Sequence, residues 1–375
     1  MKNLYFTIGL LLFTFLGKAQ IVNIPDPIFK ASLLNHSPVI DINNDGEIQV
    51  SEALNTTTIE IINSAGTITN TSGLNAFTNL TSLRINFAYI DTIDLSNLIN
   101  LQHLNLLENN LTSLSVTELT NLQTLVCSNN SLTSIDVSGL TNLVLLDFSI
   151  NPLLSNFIYS ELPNLNQLIC YYTNVGNINI NVMNNLTYLD ISGCEFSNLD
   201  VSNLTNLTHL NCSTNSALSS GISNLNLGQL TNLTYLNCSN NNIASLSLEN
   251  LTNLTYLNCS NNQLSNLDVT NLVHLTALYC FENQLSSLNV TNTIDVSNLL
   301  NLKSLFCTNN NMSTLDLTNL VLLRTLNCTQ NQITSLDLSN NVNLELIYLA
   351  SNLLTSLDLS QLTLLNASIP EYLLD

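Results

Sequence analysis

Residues 233–274 decide the fold, because they hold one 21-residue unit written twice. The first copy, residues 233–253, reads LTYLNCSNNNIASLSLENLTN, and the second, residues 254–274, reads LTYLNCSNNQLSNLDVTNLVH. Both fit the pattern L-x-x-L-x-C-x-x-N-x-[LI]-x-x-L-x-[LV]. A fixed period of this length predicts a solenoid, in which neighbouring copies stack and bury one continuous apolar core.

The unit recurs along most of the chain. Thirteen copies, spanning residues 80–364, begin at Leu80, Leu101, Leu122, Leu143, Leu165, Leu186, Leu207, Leu233, Leu254, Leu275, Leu302, Leu323 and Leu344. Most are 21 residues long, but the seventh and tenth copies carry extra residues near 219–223 and 291–296. We expect these insertions to bulge outward without breaking the stack. Residues 59–79 predict a degenerate first repeat, since a terminal repeat has to close the core.

Each copy, counted from its first leucine, predicts a short strand. Side chains at positions 4 and 6 point inward and those at positions 3, 5 and 7 point outward, since side chains alternate along a strand. This skeleton resembles the leucine-rich repeat, with cysteine at position 6 where a third aliphatic residue is more usual. The resemblance implies an α/β-type solenoid with a curved parallel β-sheet of about 13 short strands and a mostly irregular or short-strand outer side.

The cysteines follow the repeat rather than a disulfide framework. Eight of the nine lie at position 6: Cys127, Cys170, Cys212, Cys238, Cys259, Cys280, Cys307 and Cys328. Isoleucine, leucine or phenylalanine fills this position in other copies, which favours a buried thiol acting as a small apolar side chain. Disulfides between neighbouring copies are disfavoured by parallel Cβ directions, and a soft-metal ladder is disfavoured by the lack of open coordination.

Two polar columns accompany the apolar ones. Position 9 is asparagine in ten copies: Asn109, Asn130, Asn151, Asn215, Asn241, Asn262, Asn283, Asn310, Asn331 and Asn352. A buried amide here can satisfy backbone groups that turn away from the sheet; Thr173 and Cys194 interrupt the column, and we expect a looser structure there. Aspartates just after position 14, such as Asp268 and Asp316, predict hydrogen bonds to the next turn more than a cation ladder.

The net charge excludes some partners. Six basic residues stand against 26 acidic ones, giving a net charge of −20, while only 9% of residues are charged. Such a surface repels phosphate backbones and anionic lipid, so we expect neither nucleic-acid binding nor membrane insertion.

The first 19 residues predict a secretory signal peptide. They begin with a basic residue, continue with an apolar run over residues 4–16, and end at Gly17-Lys18-Ala19. This arrangement is typical of a leader cleaved near Ala19–Gln20. The apolar run is short for a membrane span. We therefore expect a secreted, extracellular or cell-surface protein.

Residues 20–58 predict a small helical N-terminal cap with a calcium loop. Asp26 and Pro27 are typical of the N-cap and first position of a helix. Residues 41–52, DINNDGEIQVSE, then fit D-x-[DN]-x-[DN]-G-x₅-E, the EF-hand-like calcium loop. The alternative is a polar turn that caps a short helix. The predicted ligands are Asp41, Asn43, Asp45, Glu47, Gln49 and Glu52, with Glu47 contributing its carbonyl and Glu52 both carboxylate oxygens. One weak, structural calcium site is expected.

The sequence contains aromatic residues where a binding face is expected, but lacks catalytic motifs. Neither G-x-S-x-G nor H-E-x-x-H occurs, and the four histidines are scattered, so we predict that the protein is not an enzyme.

Solenoids expose an extended face formed by outward strand positions. The predicted ligand-binding face comprises Ile169, Tyr171, Tyr172, Tyr188, Tyr235, Tyr256, Tyr279, Phe281, Phe306 and Tyr348. Scattered surface aromatics are the equally weighted alternative.

The leader, the calcium-type loop, the sequence Gly73-Leu74-Asn75-Ala76-Phe77 and the L-x-x-L-x-C-x-x-N copies together resemble bacterial secreted leucine-rich-repeat proteins of the internalin type. The resemblance covers nearly the whole chain after the leader. It implies extracellular protein–protein or adhesive interactions through the concave sheet face, with an extracellular protein or a cell-surface glycan as partner. The alternative is a structural surface or matrix scaffold without a single privileged ligand face. Residues 365–375 are expected to form only a short C-terminal tail.

Overall fold

The computed structural model describes residues 20–62, 66–176, 178–215, 221–285 and 296–365. One main sheet of 14 parallel strands runs through these ranges. The predicted α/β-type leucine-rich-repeat solenoid is confirmed: thirteen strands come from the predicted copies and one from the degenerate first repeat. The predicted signal peptide and residues 366–375 of the predicted tail lie outside the described residues. Within the described ranges, no helix is long and apolar enough to cross a membrane.

The strands are short and nearly identical in length. In chain order they are β1 (Thr58–Ile62), β2 (Ser82–Asn86), β3 (His103–Asn105), β4 (Thr124–Val126), β5 (Ser134–Asp136), β6 (Leu145–Asp147), β7 (Asn156–Ile158), β8 (Gln167–Ile169), β9 (Tyr188–Asp190), β10 (Asn198–Asp200), β11 (His209–Asn211), β12 (Asn224–Asn226), β13 (Tyr235–Asn237), β14 (Tyr256–Asn258), β15 (Ala277–Tyr279), β16 (Ser304–Phe306), β17 (Thr325–Asn327) and β18 (Leu346–Tyr348). The pairs β5–β7 and β10–β12 lie outside the main sheet. They are the short-strand part of the outer side.

Two helices form the cap at the start of the solenoid: α1 (Pro27–Leu34) and α2 (Val50–Asn55). Asp26 caps α1, because its Oδ1 accepts the backbone N–H groups of Ile28 and Phe29 at 2.9 Å. Its Oδ2 accepts the backbone N–H and the hydroxyl of Thr69 at 2.8 Å. Asp26 therefore fastens the cap to the first repeat.

The core is formed by the inward strand positions. The position-4 leucines are buried, and the eight position-6 cysteines are free and fully buried. Burial raises the pKa of the Cys238 and Cys280 thiols to about 12. The interpretation of the column as small apolar core residues is confirmed.

The longer copies leave the sheet intact. Leu210 of β11 pairs with Leu236 of β13, and Leu278 of β15 pairs with Leu305 of β16, in the register that the regular copies use. The inserted segments themselves lie largely in residues 216–220 and 286–295, outside the described residues.

The position-9 asparagines join successive copies, as predicted. Asn262 is representative: its Nδ2 donates to the carbonyl oxygens of Cys238, Cys259 and Ser260 at 3.0–3.1 Å. Its Oδ1 accepts the N–H of Ile243, in the previous copy, at 3.0 Å. Each amide thus satisfies a backbone donor of the copy before it.

The interruption at Thr173 has a structural reason. The fourth copy has one extra residue beside Pro152, and its turn lets the N–H of Leu154 bond the carbonyl oxygen of Asn151 at 2.9 Å. No amide oxygen is needed for that N–H, and Thr173 instead donates its hydroxyl to the Cys170 carbonyl at 2.6 Å. Thr173 and Cys194 are both buried.

Position 8 has a left-handed backbone in every described copy. Twelve of these residues are not glycine, with φ between 49° and 59°: Phe87, Glu108, Asn129, Ile150, Tyr172, Thr214, Asn240, Asn261, Glu282, Asn309, Gln330 and Ser351. Their N–H groups point toward the following copy. The N–H of Ile150, for example, donates to the Tyr171 carbonyl at 2.8 Å. L-residues other than asparagine and aspartate adopt this conformation at a cost, so copies with another side chain at position 8, such as Ile150 and Tyr172, contain a locally strained residue.

Candidate functional site

Six aromatic side chains form one continuous row on the outward face of the main sheet. We call this row the aromatic stack; its members are Tyr188, His209, Tyr235, Tyr256, Tyr279 and Phe306. The centroid separations along it are 4.2, 4.0, 4.4, 5.5 and 4.9 Å. In the first three contacts the rings are nearly parallel, with interplanar angles of 9°, 8° and 5°. Rings of six consecutive copies are therefore in mutual contact.

The register of the strands creates the stack. Tyr188, His209, Tyr235 and Tyr256 are all at position 3, and each is the direct partner of the next across adjacent strands. In β15 this position is Ala277, and the stack moves to Tyr279 at position 5, which pairs with Phe306 of β16. A small side chain opposite Tyr256 leaves room for the change of column.

The stack is only partly accessible, and burial favours the neutral form of four of its members. All six residues are intermediate in exposure, as expected when each ring covers its neighbours. Burial raises the pKa of Tyr188 and Tyr235, and that of Tyr256 to about 12. Burial also lowers the pKa of His209, against the opposing effect of the Asp190 carboxylate. The hydroxyl groups of Tyr188, Tyr235 and Tyr256 therefore keep their protons and remain available as hydrogen-bond donors.

A polar layer lies beside the stack at positions 5 and 7. The Oδ1 atoms of Asn237 and Asn258 each accept the N–H and the hydroxyl of the serine two residues later, at 2.7–3.2 Å. Asp147 and Asp190 form the same bonds with Ser149 and Ser192. These bonds fix the direction of each position-5 side chain.

The structure brings half of the predicted face residues together. Tyr188, Tyr235, Tyr256, Tyr279 and Phe306 are in the stack. The other five lie outside it: Ile169 in β8, the edge-to-face pair Tyr171 and Tyr172 with centroids 5.8 Å apart, Phe281, and Tyr348 in β18.

His209 is the stack member that the predicted face omitted. Its signal in the sequence is its position-3 location between Tyr188 and Tyr235.

The predicted calcium loop is closed by its own hydrogen bonds. Glu52 Oε1 accepts the N–H groups of Ile42 and Asn43, and Oε2 accepts that of Gln49 at 2.9 Å. The two Asp41 carboxylate oxygens accept the N–H groups of Asp45 and Gly46. Gly46 has φ +80°, so the sharp bend that the motif requires is present.

The remaining predicted ligands are turned toward each other or outward. The side-chain amides of Asn43 and Gln49 donate to Asp45 Oδ2 at 3.1 and 2.8 Å. The Glu47 side chain forms an ion pair with Lys30 at 2.7 Å. Across the described ranges, no three acidic, histidine or cysteine side chains converge as a ready metal site. The residue types fit calcium, but both amides would have to rotate to present their oxygens.

Known proteins share this architecture. The family described as "Leucine Rich repeats (2 copies)" matches residues 231–272. The functional domain of InlJ from Listeria monocytogenes, which includes a cysteine ladder, is 33% identical with a TM-score of 0.81, over 92% of this chain and 74% of that one. Among curated proteins, none matches significantly.

Two further structures are more distant. The internalin InlF from Listeria monocytogenes is 24% identical with a TM-score of 0.70, over 94% of this chain and 98% of that one. A leucine-rich-repeat protein from Leptospira interrogans is 25% identical with a TM-score of 0.61, over 84% of both chains. Together with the repeat geometry, the identity to InlJ shows that the chain belongs to the internalin family of leucine-rich-repeat proteins.

Proposed function

We propose that this protein is a secreted or cell-surface binding protein that holds an extracellular partner, a protein or a glycan, on the aromatic stack. The stack is the observation that carries the proposal. Six adjacent aromatic side chains lie partly exposed on one parallel sheet, where their position is fixed by strand register rather than by a mobile loop. Tyrosine is enriched at the energetic centres of protein interfaces, because its ring is large, rigid and able to donate a hydrogen bond.

The fold supports binding rather than catalysis. Leucine-rich-repeat solenoids present extended surfaces for recognition. The Asn and Ser side chains of the polar layer surround the rings with groups that can bond a partner or water.

The experiment is a pull-down with protein that starts at Gln20, against surface and culture extracts. A triple variant, Tyr235→Ser, Tyr256→Ser and Tyr279→Ser, removes the centre of the stack. The matched control is Tyr89→Ser, because Tyr89 is 59% exposed and lies outside the stack. We expect partners that the parent and the control retain and the triple variant loses. Equal retention by all three proteins, or self-association alone, would instead support the structural scaffold.

We also propose that residues 41–52 bind one structural calcium ion. Asp41 and Glu52 are 6% and 7% exposed, and neither carboxylate has an ion-pair partner among the described residues. Buried carboxylates without a counter-charge favour a cation in the loop. Asp41, Asp45 and Glu52 would supply carboxylate oxygens, Asn43 and Gln49 amide oxygens after rotation, and Glu47 its carbonyl.

If the loop in the cap binds calcium, the folded protein should be more stable with calcium than with chelator. At ~1 mM calcium and a dissociation constant of ~10⁻⁴ M, binding stabilises the folded state by ~1.4 kcal/mol. Thermal melting with calcium or with chelator should therefore differ for the parent and for Glu47→Gln, which keeps the carbonyl ligand. The Glu52→Gln variant should melt at one temperature in both buffers; a chelator that changes nothing in the parent would disprove the site.

A further inference from the structure

The ring faces of the aromatic stack are already occupied. Between Tyr188 and Tyr256, each ring lies 4.0–4.4 Å from the next at angles below 10°. At these distances the faces are in van der Waals contact with each other. What a ligand meets is the row of ring edges together with the tyrosine hydroxyl groups.

This geometry disfavours ligands that bind by covering an aromatic face. A sugar ring or a planar base could lie flat on an aromatic face only at the two ends of the row, on Tyr188 or Phe306. Ring edges carry partial positive charge. Along its length, the row is therefore suited to carbonyl oxygens and aliphatic side chains, which a polypeptide provides together.

Two carboxylates lie at the Tyr188 end of the row. Asp147 pairs with Ile169, and Ile169 pairs with Asp190, so the two acids are two strands apart on the same face, about 10 Å. The ion pairs among the described residues are Lys30–Glu47, Arg84–Glu60 and Arg324–Glu345. Among the residues that the structure describes, neither Asp147 nor Asp190 has a cationic partner.

The bonds from position 5 to the serine two residues later do not need a charged side chain. Asn211, Asn237 and Asn258 occupy position 5 in the following copies and form the same bonds to the serine two residues later. An amide oxygen thus forms the bonds to the serine as well as a carboxylate oxygen does, while the second oxygen of Asp190 also accepts the side-chain amide of Asn211 at 3.0 Å. Asp190 is only 8% exposed, and a nearly buried carboxylate with no counter-charge is costly to keep.

From these observations we propose that the partner is a basic polypeptide segment, whose apolar residues lie along the ring edges and whose lysine or arginine reaches Asp147 and Asp190. This inference rests on the proposed binding function and specifies the chemistry of its ligand. A net charge of −20 also favours a basic partner over an acidic one.

The test uses a displayed library of random 12-residue peptides, selected on the parent and counter-selected on Tyr235→Ser/Tyr256→Ser. The parent is applied in parallel to a glycan array. Enriched peptides are then synthesised and titrated against the parent, Asp147→Asn/Asp190→Asn, and the control Asp316→Asn/Asp337→Asn. The paired substitutions change the charge equally, but the control aspartates lie outside the sheet face and bond the second residue after them.

We expect the peptides to combine lysine or arginine with aliphatic residues. The Asp147→Asn/Asp190→Asn variant should weaken binding by ~10–100-fold, and the control by less than about 2-fold. Replacing the basic residue of the peptide by glutamine should remove the difference between the parent and the Asp147→Asn/Asp190→Asn variant.

Two results would overturn the inference while leaving the binding function in place. One is stack-dependent glycan binding without stack-dependent peptide binding. The other is peptide binding that depends on the stack but is equal in both aspartate variants. A library and an array that both lack a stack-dependent ligand would refute the inference and the proposed function together.

Discussion

Replacing Asn262 by alanine tests how the copies are joined. The Oδ1 atom of Asn262 accepts the N–H of Ile243, which is buried and would lose this acceptor. The carbonyl oxygens of Cys238 and Cys259 each keep one amide partner, because Asn241 and Asn283 also donate to them. The main cost is therefore a single unsatisfied backbone donor.

The expected loss of stability follows from the hydrogen bonds that the variant loses. A buried donor left without an acceptor costs about 1–3 kcal/mol, and the weakened carbonyl bonds add about 0.5–1 kcal/mol. We expect Asn262→Ala to lower the free energy of unfolding by about 2–4 kcal/mol. The assay is urea unfolding followed by circular dichroism, because parallel-sheet content reports the whole stack.

The matched control is Asn253→Ala. Asn253 belongs to the neighbouring copy and is exposed, and its Nδ2 donates one bond, to the Thr231 carbonyl at 2.8 Å. An exposed bond of this kind contributes little, since water replaces it, so the control should lose less than about 0.5 kcal/mol. If both variants lose the same stability, the position-9 amides are not the junctions that the structure indicates.

The remaining predictions concern strain, thiols and pH. Ile150→Asn should raise the free energy of unfolding by about 1 kcal/mol, because a β-branched residue at φ 51° is replaced by one that tolerates the left-handed region; Asn261→Ile should lower it by a similar amount in the same urea titration. Iodoacetamide at pH 8 should leave Cys238 and Cys280 of the folded protein unlabelled by mass spectrometry and label them after unfolding, since burial raises the pKa of both thiols to about 12. The hydrogen bonds from Thr270 lower the pKa of Asp268 below its ordinary 3.8, so their stabilising effect is present above pH 3.8 and is lost as the pH falls through the folded-state pKa. Acid unfolding of Asp268→Asn should accordingly be less steep below about pH 4 than that of the parent.

The repeat itself made the fold predictable. The leucines at position 4, the cysteines at position 6 and the asparagines at position 9 have the same role wherever they occur, so one copy predicts the others that share its pattern. The helix signal at Asp26 was equally clear, because an N-cap and a proline at the first position act locally.

The stack was only partly predictable, since it depends on relations between copies. Which outward rings touch follows from strand pairing, and the shift from position 3 to position 5 at Ala277 depends on a small residue across the strand. His209 was omitted from the predicted ligand-binding face although it lies at position 3 between Tyr188 and Tyr235.

The joining amides also define what a transferable unit of this protein is. Each Asn at position 9 satisfies a backbone donor in the preceding copy, 19 residues earlier for Asn262 and Ile243 and 25 residues earlier for Asn310 and Leu285. If the gene is duplicated or recombined at the first leucine of a copy, the backbone N–H in the preceding copy loses its acceptor whenever the new following copy lacks asparagine at position 9. The fourth and fifth copies, with the extra turn at Pro152 and Thr173 in place of asparagine, would have to be inherited together. Copies can therefore be gained or lost only where the following copy provides the amide that the preceding copy needs. An engineered array should keep the fourth and fifth copies together.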